Sequence, residues 1–140
     1  YDSREGELAA AGDVDALIEL NLRVWVDGPT RSHDEVDPAM RAFVGDMQRD
    51  ALVMQLAEPD VEGGALVDAP GERLGEIEVP TLALVGELDV PEMVESAGRF
   101  AADIPGAEHA TIAGAAHLPS LERADEFDSL VLGFLGASAN

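Results

Sequence analysis

The sequence predicts an α/β protein, in which a helical N-terminal segment precedes a strand–helix–strand–helix unit with two parallel strands. Residues 13–56 show apolar side chains at helical spacing and no strand pattern. Two short apolar runs, TLALV at 81–85 and HATIA at 109–113, are each followed by a stretch of helical period. With 140 residues, 46% of them hydrophobic, the chain is long enough to bury a core.

Two amphipathic helices are predicted in the N-terminal segment. The first covers residues 13–26, where Asp13 is placed to cap it, and a Gly-Pro pair at 28–29 ends the pattern. The second begins where Asp37 caps the helix and Pro38 takes the first helical position. Its apolar stripe, methionines included, is expected to fill a core and consists of Met40, Phe43, Val44, Met47, Ala51 and Met54.

The two strands are predicted to be parallel neighbours. TLALV is a continuous apolar run that Gly86 ends, which is typical of a strand buried on both faces. A helix over 92–104, with an apolar stripe on one side, separates it from HATIA, and a last helix follows over 122–135. A connection that contains a helix makes successive strands parallel, with a right-handed crossover.

Charge is the most extreme property of the composition. The chain has 29 acidic residues against 8 basic ones, all of them arginine, and a formal net charge of −21. A surface this acidic repels phosphate backbones and anionic membranes, so we expect neither nucleic acid nor a membrane as a partner. The sequence has no cysteine and no apolar run long enough for a membrane span. We expect a cytoplasmic protein.

Neither a metal site nor a cofactor is predicted. His33 lies in an acidic loop with Asp34, Glu35 and Asp37, but their spacing matches no pattern of metal ligands. His109 lies within the second strand next to a glutamate and is expected on an exposed face.

Asp89 and His117 occupy matching positions after the two strands. Each lies four residues past the end of its predicted strand, with glycine before it and proline after it. Parallel strands place their carboxyl ends at one edge of the sheet, so we expect the two side chains to meet there. The carboxylate can then accept from the imidazole Nδ1–H and fix the tautomer. The alternatives are a turn or cap role for Asp89 and a surface position for His117.

From IEVPTLALVGELDVPEM to GAAHLPSLERADEF, the sequence resembles the C-terminal part of an α/β-hydrolase. In that family a strand ending in V-G-x-x-D delivers the acid of a catalytic triad, and a G-x-x-H-x-P-x-x-E segment delivers the histidine. Asp89 and His117 match these positions, and residues 13–56 resemble the helical cap of many such enzymes. The resemblance implies three segments: a helical cap over 1–60, a connector over 61–79 and the C-terminal part of the hydrolase core over 80–140.

The resemblance also implies roles for individual residues. His117 is the general base and then the general acid, oriented by Asp89, in the hydrolysis of a small ester, lactone or related carbonyl substrate. Trp25 in the cap and Leu118 beside the histidine contact the substrate; alternatively, Trp25 packs against the other cap helix. Glu122 is expected to brace the histidine loop or to cap the last helix.

The nucleophile of such a triad is missing from the sequence. The family carries it on a G-x-S-x-G turn, and no serine here has both flanking glycines. We therefore expect it to come from an N-terminal half of the same hydrolase, carried on a separate chain. Two parallel strands also leave an apolar edge open, which that half or a homo-oligomer is expected to cover.

Two alternatives stay open at this point. An aspartate as the missing nucleophile makes the enzyme dehalogenase-like, whereas a serine makes it esterase-like. A chain without turnover is a non-catalytic hydrolase fragment, or a remnant that binds ligands or serves as a scaffold. Asp89 and His117 keep their places in each case, so the sequence does not separate these possibilities.

Overall fold

The computed structural model describes residues 2–57 and 69–138. The chain divides into two compact units, Tyr1–Gly64 and Ala65–Asn140. Residues 61–68 of the predicted connector lie outside the described residues, and the division into cap, connector and core stays a prediction. Within the described ranges, no helix is both long and apolar enough to cross a membrane.

The first unit is built from helices. Its described elements are α1 (Asp2–Ala11), α2 (Val14–Asn21), a π-helical segment (Leu22–Asp27), a 3₁₀ turn (His33–Glu35) and α3 (Pro38–Ala57). Helix α1 was not predicted from the sequence, because DSREGELAAA has no apolar stripe at helical spacing.

Both predicted N-caps are confirmed. The Asp13 carboxylate accepts from the Ala16 backbone N–H at 3.1 Å. The Asp37 carboxylate accepts from the backbone N–H groups of Ala39 at 2.7 Å and Met40 at 3.2 Å. The first N–H groups of a helix have no acceptor within the helix, so these side chains fix where α2 and α3 begin.

The first predicted helix does not continue as an α-helix to residue 26. It becomes π-helical at Leu22, and the last residue of that segment, Asp27, is fully buried. Arg41 of α3 donates from Nε to the Asp27 carboxylate at 2.9 Å and from Nη2 to Glu19 at 2.8 Å. Both hydrogen bonds raise the pKa of Arg41 above its ordinary value, and the bond to Asp27 has the larger effect.

Removing the Arg41 guanidinium takes an ion pair of 2.9 Å from the buried Asp27, which keeps Arg23 at 3.7 Å. We expect Arg41→Met to lower the free energy of unfolding by about 3 kcal/mol, because removing one partner of a buried pair leaves the other charge with less compensation. Arg49→Met is the matched control on the same helix, since Arg49 pairs with the exposed Asp15. Such an exposed pair contributes less than about 1 kcal/mol. Urea unfolding measures both variants, and equal losses would contradict the prediction.

The core of the first unit lies between α2 and α3. Ile18 of α2 and Val44 of α3 are buried there. Much of the predicted α3 stripe is not part of this core: Phe43, Met47 and Met54 are 54%, 56% and 73% exposed. The prediction that these methionines fill a core is wrong for Met47 and Met54, because helical spacing shows which side chains share a face but not whether that face is covered.

The second unit contains the predicted strands. Its elements are two 3₁₀ turns (Pro70–Glu72 and Leu74–Glu76), β1 (Leu82–Gly86), α4 (Pro91–Asp103), β2 (Glu108–Ile112), α5 (Pro119–Glu122) and α6 (Ala124–Ser138). The strands are parallel, with Leu82 opposite Glu108 and Gly86 opposite Ile112. The predicted parallel pair is confirmed, and each strand differs from its predicted range by one residue.

One face of β1 is buried and the other is partly open within this unit. Ala83 and Val85 are buried, whereas Leu82 and Leu84 are partly exposed. The prediction of a strand buried on both faces is therefore wrong for this chain by itself. In the part of the chain that the structure describes, β2 is the strand that pairs with β1.

Candidate active site

Asp89 lies in the acid turn, residues 87–90, between β1 and α4. Its backbone N–H donates to the Gly86 carbonyl at 3.3 Å, and its Oδ1 accepts from the Val90 N–H at 2.7 Å. Pro91 then opens α4 at a position where a helix needs no N–H donor. These contacts hold the Asp89 carboxylate in one orientation, and 7% of the residue surface is exposed.

His117 lies in the histidine loop, residues 113–118, between β2 and α5. Gly114 turns the chain out of the strand with a φ of 71°, a conformation that favours glycine. The His117 Nδ1 atom lies 2.9 Å from Asp89 Oδ2 and 3.2 Å from Oδ1, and the His117 side chain is 38% exposed. The structure thus places the two side chains in hydrogen-bonding contact at the carboxyl ends of the strands.

Backbone hydrogen bonds join the acid turn to the end of β2 and to the histidine loop. The Glu87 N–H donates to the Ile112 carbonyl at 2.9 Å, and the Leu88 N–H donates to the Ala115 carbonyl at 2.8 Å. Because these bonds link the two segments directly, the separation of the Asp89 and His117 side chains is set by the backbone as well as by their own contact.

The Asp89–His117 contact is suited to proton transfer. A carboxylate beside Nδ1 favours the tautomer in which Nδ1 carries the proton and donates it, which leaves the basic lone pair on Nε2. The same carboxylate stabilises the imidazolium that forms when Nε2 accepts a proton.

Over residues 2–57 and 69–138, no three or more potential metal ligands lie close enough together to hold a metal ion.

A cavity of about 320 Å³ lies beside this pair. Asp89, His117 and Pro119 line one part of it, and all five residues of Leu82–Gly86 line another. Successive strand residues point to opposite faces, so a cavity that contacts all five runs along the edge of β1. Since β2 occupies one edge, the cavity follows the other.

The remaining cavity lining comes from α4 and was missed by the sequence analysis. Met93, Ser96, Ala97 and Phe100 line it, and Phe100 is 40% exposed. Met93, Ala97 and Phe100 belong to the apolar stripe predicted on one side of this helix. Their helical spacing places them on the same face as Ser96, and this shared face is the sequence feature that could have indicated the cavity lining.

Three solved structures share the fold of this chain. MenH from S. aureus is 28% identical, with a TM-score of 0.67, and the match covers 100% of this chain and 55% of that chain. Est816, an N-acyl homoserine lactone degrading enzyme, is 28% identical with a TM-score of 0.66, covering 93% and 50%. The enol-lactonase from Burkholderia xenovorans LB400 is 25% identical with a TM-score of 0.65, covering 96% and 49%. These similarities show that this chain has the fold of the α/β-hydrolases.

The chain spans about half the length of the α/β-hydrolase structures that it matches. Its small parallel sheet and helices form a C-terminal part of the α/β-hydrolase fold, which confirms the predicted fold class. No protein-family model and no curated protein matches the sequence.

The two substrate-contacting residues expected of an α/β-hydrolase, Leu118 and Trp25, keep that role as a prediction. Leu118 is half-buried and precedes α5, where its carbonyl accepts from the N–H groups of Leu121 at 2.9 Å and Glu122 at 3.0 Å. Among the described residues, it does not belong to the lining of the β1 cavity. Trp25 is half-buried in the π-helical segment of the first unit.

Proposed function

We propose that this chain supplies the acid and the histidine of the catalytic triad in a serine-type α/β-hydrolase that cleaves a small ester, a lactone or a related carbonyl substrate. The contact of His117 Nδ1 with Asp89 Oδ2 at 2.9 Å carries the proposal, because a triad histidine needs a carboxylate at that nitrogen. The names of two similar structures support the substrate class, since one is a lactone degrading enzyme and the other an enol-lactonase.

In the proposed reaction, His117 moves protons and a serine forms the covalent bond. Nε2 accepts the hydroxyl proton while the serine oxygen attacks the carbonyl carbon. The C–O bond to the leaving group then breaks, and the imidazolium returns the proton to the departing alcohol, which leaves an acyl-enzyme. Water attacks the acyl-enzyme and passes a proton to Nε2, and the serine regains that proton as the acid leaves. Asp89 stays ionised throughout.

The nucleophile is assigned to an N-terminal half of the same hydrolase, carried on a separate chain. The missing G-x-S-x-G turn supports this assignment, and so does the cavity along β1. A strand added in that cavity gains backbone hydrogen bonds from the edge of β1 and buries the partly exposed Leu82 and Leu84. It also brings the partner next to Asp89 and His117, because they line the same cavity.

The experiment that tests the proposal uses the protein purified from its native source, with an affinity tag on this chain. An intact-mass spectrum under denaturing conditions shows which polypeptides are present, and hydrolysis of p-nitrophenyl acetate and γ-butyrolactone measures turnover. We expect a second polypeptide in equal amount, with a serine on a G-x-S-x-G turn, and measurable hydrolysis of at least one of the two substrates.

The other outcomes each overturn part of the proposal. One longer polypeptide that carries both halves and hydrolyses the substrates contradicts the separate chain but keeps the triad. A single species near 14.7 kDa that hydrolyses neither substrate favours the non-catalytic fragment, and its mass in native conditions shows whether it forms a homo-oligomer instead.

A further inference from the structure

Two backbone N–H groups of the histidine loop donate to carboxylates instead of backbone carbonyls. The Gly114 N–H donates to Glu87 Oε2 at 2.9 Å, and the Ala116 N–H donates to Glu122 Oε1 at 2.7 Å. Hydrogen bonds to an ionised acceptor are stronger than bonds between neutral groups. The loop that carries the proposed catalytic histidine is therefore held from two sides by charged side chains.

Glu122 holds the peptide group that lies one residue before His117. The carbonyl of this group, from Ala115, accepts from the Leu88 N–H at 2.8 Å, and its N–H, from Ala116, donates to Glu122. One end is thus bound by the acid turn, directly before Asp89, and the other by α5. Ala115 and Ala116 are fully buried, so this peptide group has little access to water that could replace either bond.

Glu87 binds the end of β2 through its backbone and the start of the histidine loop through its side chain. Its N–H donates to the Ile112 carbonyl, and its carboxylate accepts from the Gly114 N–H, both at 2.9 Å. Glu87 is exposed, and water competes with an exposed hydrogen bond. Its effect on the loop is therefore smaller than that of Glu122.

We infer that Glu122 and Glu87 are positioning residues, which keep the histidine loop at the distance from the acid turn that holds His117 on Asp89. The inference rests on the proposed function for its consequences in catalysis. Neither carboxylate exchanges a proton with substrate in this scheme. Each acts through the backbone of the loop, and Glu122 has the larger effect.

The first test compares Glu122→Ala with Glu122→Gln in the natively purified hydrolase. We expect Glu122→Ala to lower kcat by about 10- to 100-fold with KM changed by less than about 2-fold, because a small misplacement of a catalytic group slows the reaction strongly. Glu122→Gln recovers most of kcat, since its amide oxygen also accepts from the Ala116 N–H. Glu126→Ala is the control, because Glu126 lies in α6 and forms a surface ion pair with Arg123.

A second variant covers the case in which Glu122→Ala fails to fold. Glu87→Ala removes an exposed acceptor and is expected to lower kcat by about 3- to 10-fold, again with little change in KM. The inference is overturned if both alanine variants behave like Glu126→Ala, or if Glu122→Gln loses as much kcat as Glu122→Ala.

A measurement without substrate separates this inference from the proposed function. In ¹⁵N-labelled protein, the Nδ1–H resonance of His117, assigned with His117→Gln, reports the hydrogen bond to Asp89. We expect it in the wild type and in Glu122→Gln, and we expect it to be weakened or lost in Glu122→Ala. If the wild type has no turnover but the resonance responds in this way, the proposed function fails and the positioning role stands. An unchanged resonance in Glu122→Ala contradicts the positioning role.

Discussion

We expect His117→Ala to lower kcat of the proposed two-chain hydrolase by about 10⁴-fold or more. The reason is that, in the proposed reaction, His117 both takes the proton of the attacking hydroxyl and returns it to the leaving group. KM changes little, because the imidazole acts on the reacting atoms more than on the bound substrate. Steady-state hydrolysis of p-nitrophenyl acetate measures the effect.

Asp89→Asn tests the second member of the pair. An asparagine at this position accepts from Nδ1–H less well and offers its own N–H, which favours the wrong tautomer, so we expect kcat to fall by about 10³- to 10⁴-fold. The double variant is expected to lose no more than His117→Ala alone, because residues that act as a unit are not additive.

His109→Ala is the control for the histidine variants. His109 lies on β2, is exposed, and is opposite Ala83 in the strand register. We expect this variant to keep the wild-type kcat. A His117→Ala enzyme with turnover close to that of His109→Ala would show that the Asp89–His117 contact is structural and not catalytic.

Replacing Gly86 with alanine is expected to destabilise the second unit strongly. A Cβ at Gly86 collides with the carbonyl oxygens of Ala115 and Ala116, which belong to the backbone and cannot rotate away as a side chain can. We expect the free energy of unfolding to fall by about 3 kcal/mol. In the proposed hydrolase we also expect the folded fraction to lose turnover, because relief of the clash moves the histidine loop away from the acid turn.

Gly98→Ala is the matched control within the same unit. A Cβ there meets nothing within 4 Å, and the residue lies inside α4. Alanine is the better helix former, so this variant is expected to gain about 0.5–1 kcal/mol. Urea unfolding of both variants gives the comparison. If Gly86→Ala unfolds at the same urea concentration as the wild type, the close approach of the Ala115 and Ala116 carbonyls to Gly86 does not require a glycine at this position.

The parts of the fold that depend on short-range chemistry were predictable from the sequence. Asp13 and Asp37 cap the helices that follow them, because an N-cap is decided by a few neighbouring residues. The approach of Asp89 and His117 was predictable for a related reason. Two parallel strands joined through a helix have their carboxyl ends at the same edge of the sheet, so the residues that follow them lie close together.

The features that were missed depend on contacts between residues far apart in the chain. The π-helical segment ends at Asp27, whose carboxylate binds Arg41, and no local pattern shows that pair. The carboxylate contact of Glu87 with Gly114 likewise joins two loops. The exposure of Met47 and Met54 was missed because a helical period reports a shared face and does not report what lies against it.

Labelling with a fluorophosphonate tests the proposal that Asp89 and His117 activate a serine outside residues 1–140. The natively purified protein is treated with the probe, digested, and the modified peptide is identified by mass spectrometry, for the wild type and for His117→Ala. We expect one modified serine on a G-x-S-x-G turn outside this chain, and loss of that modification in His117→Ala. Labelling of a serine within this chain, no labelling at all, or labelling that His117→Ala leaves unchanged would contradict it.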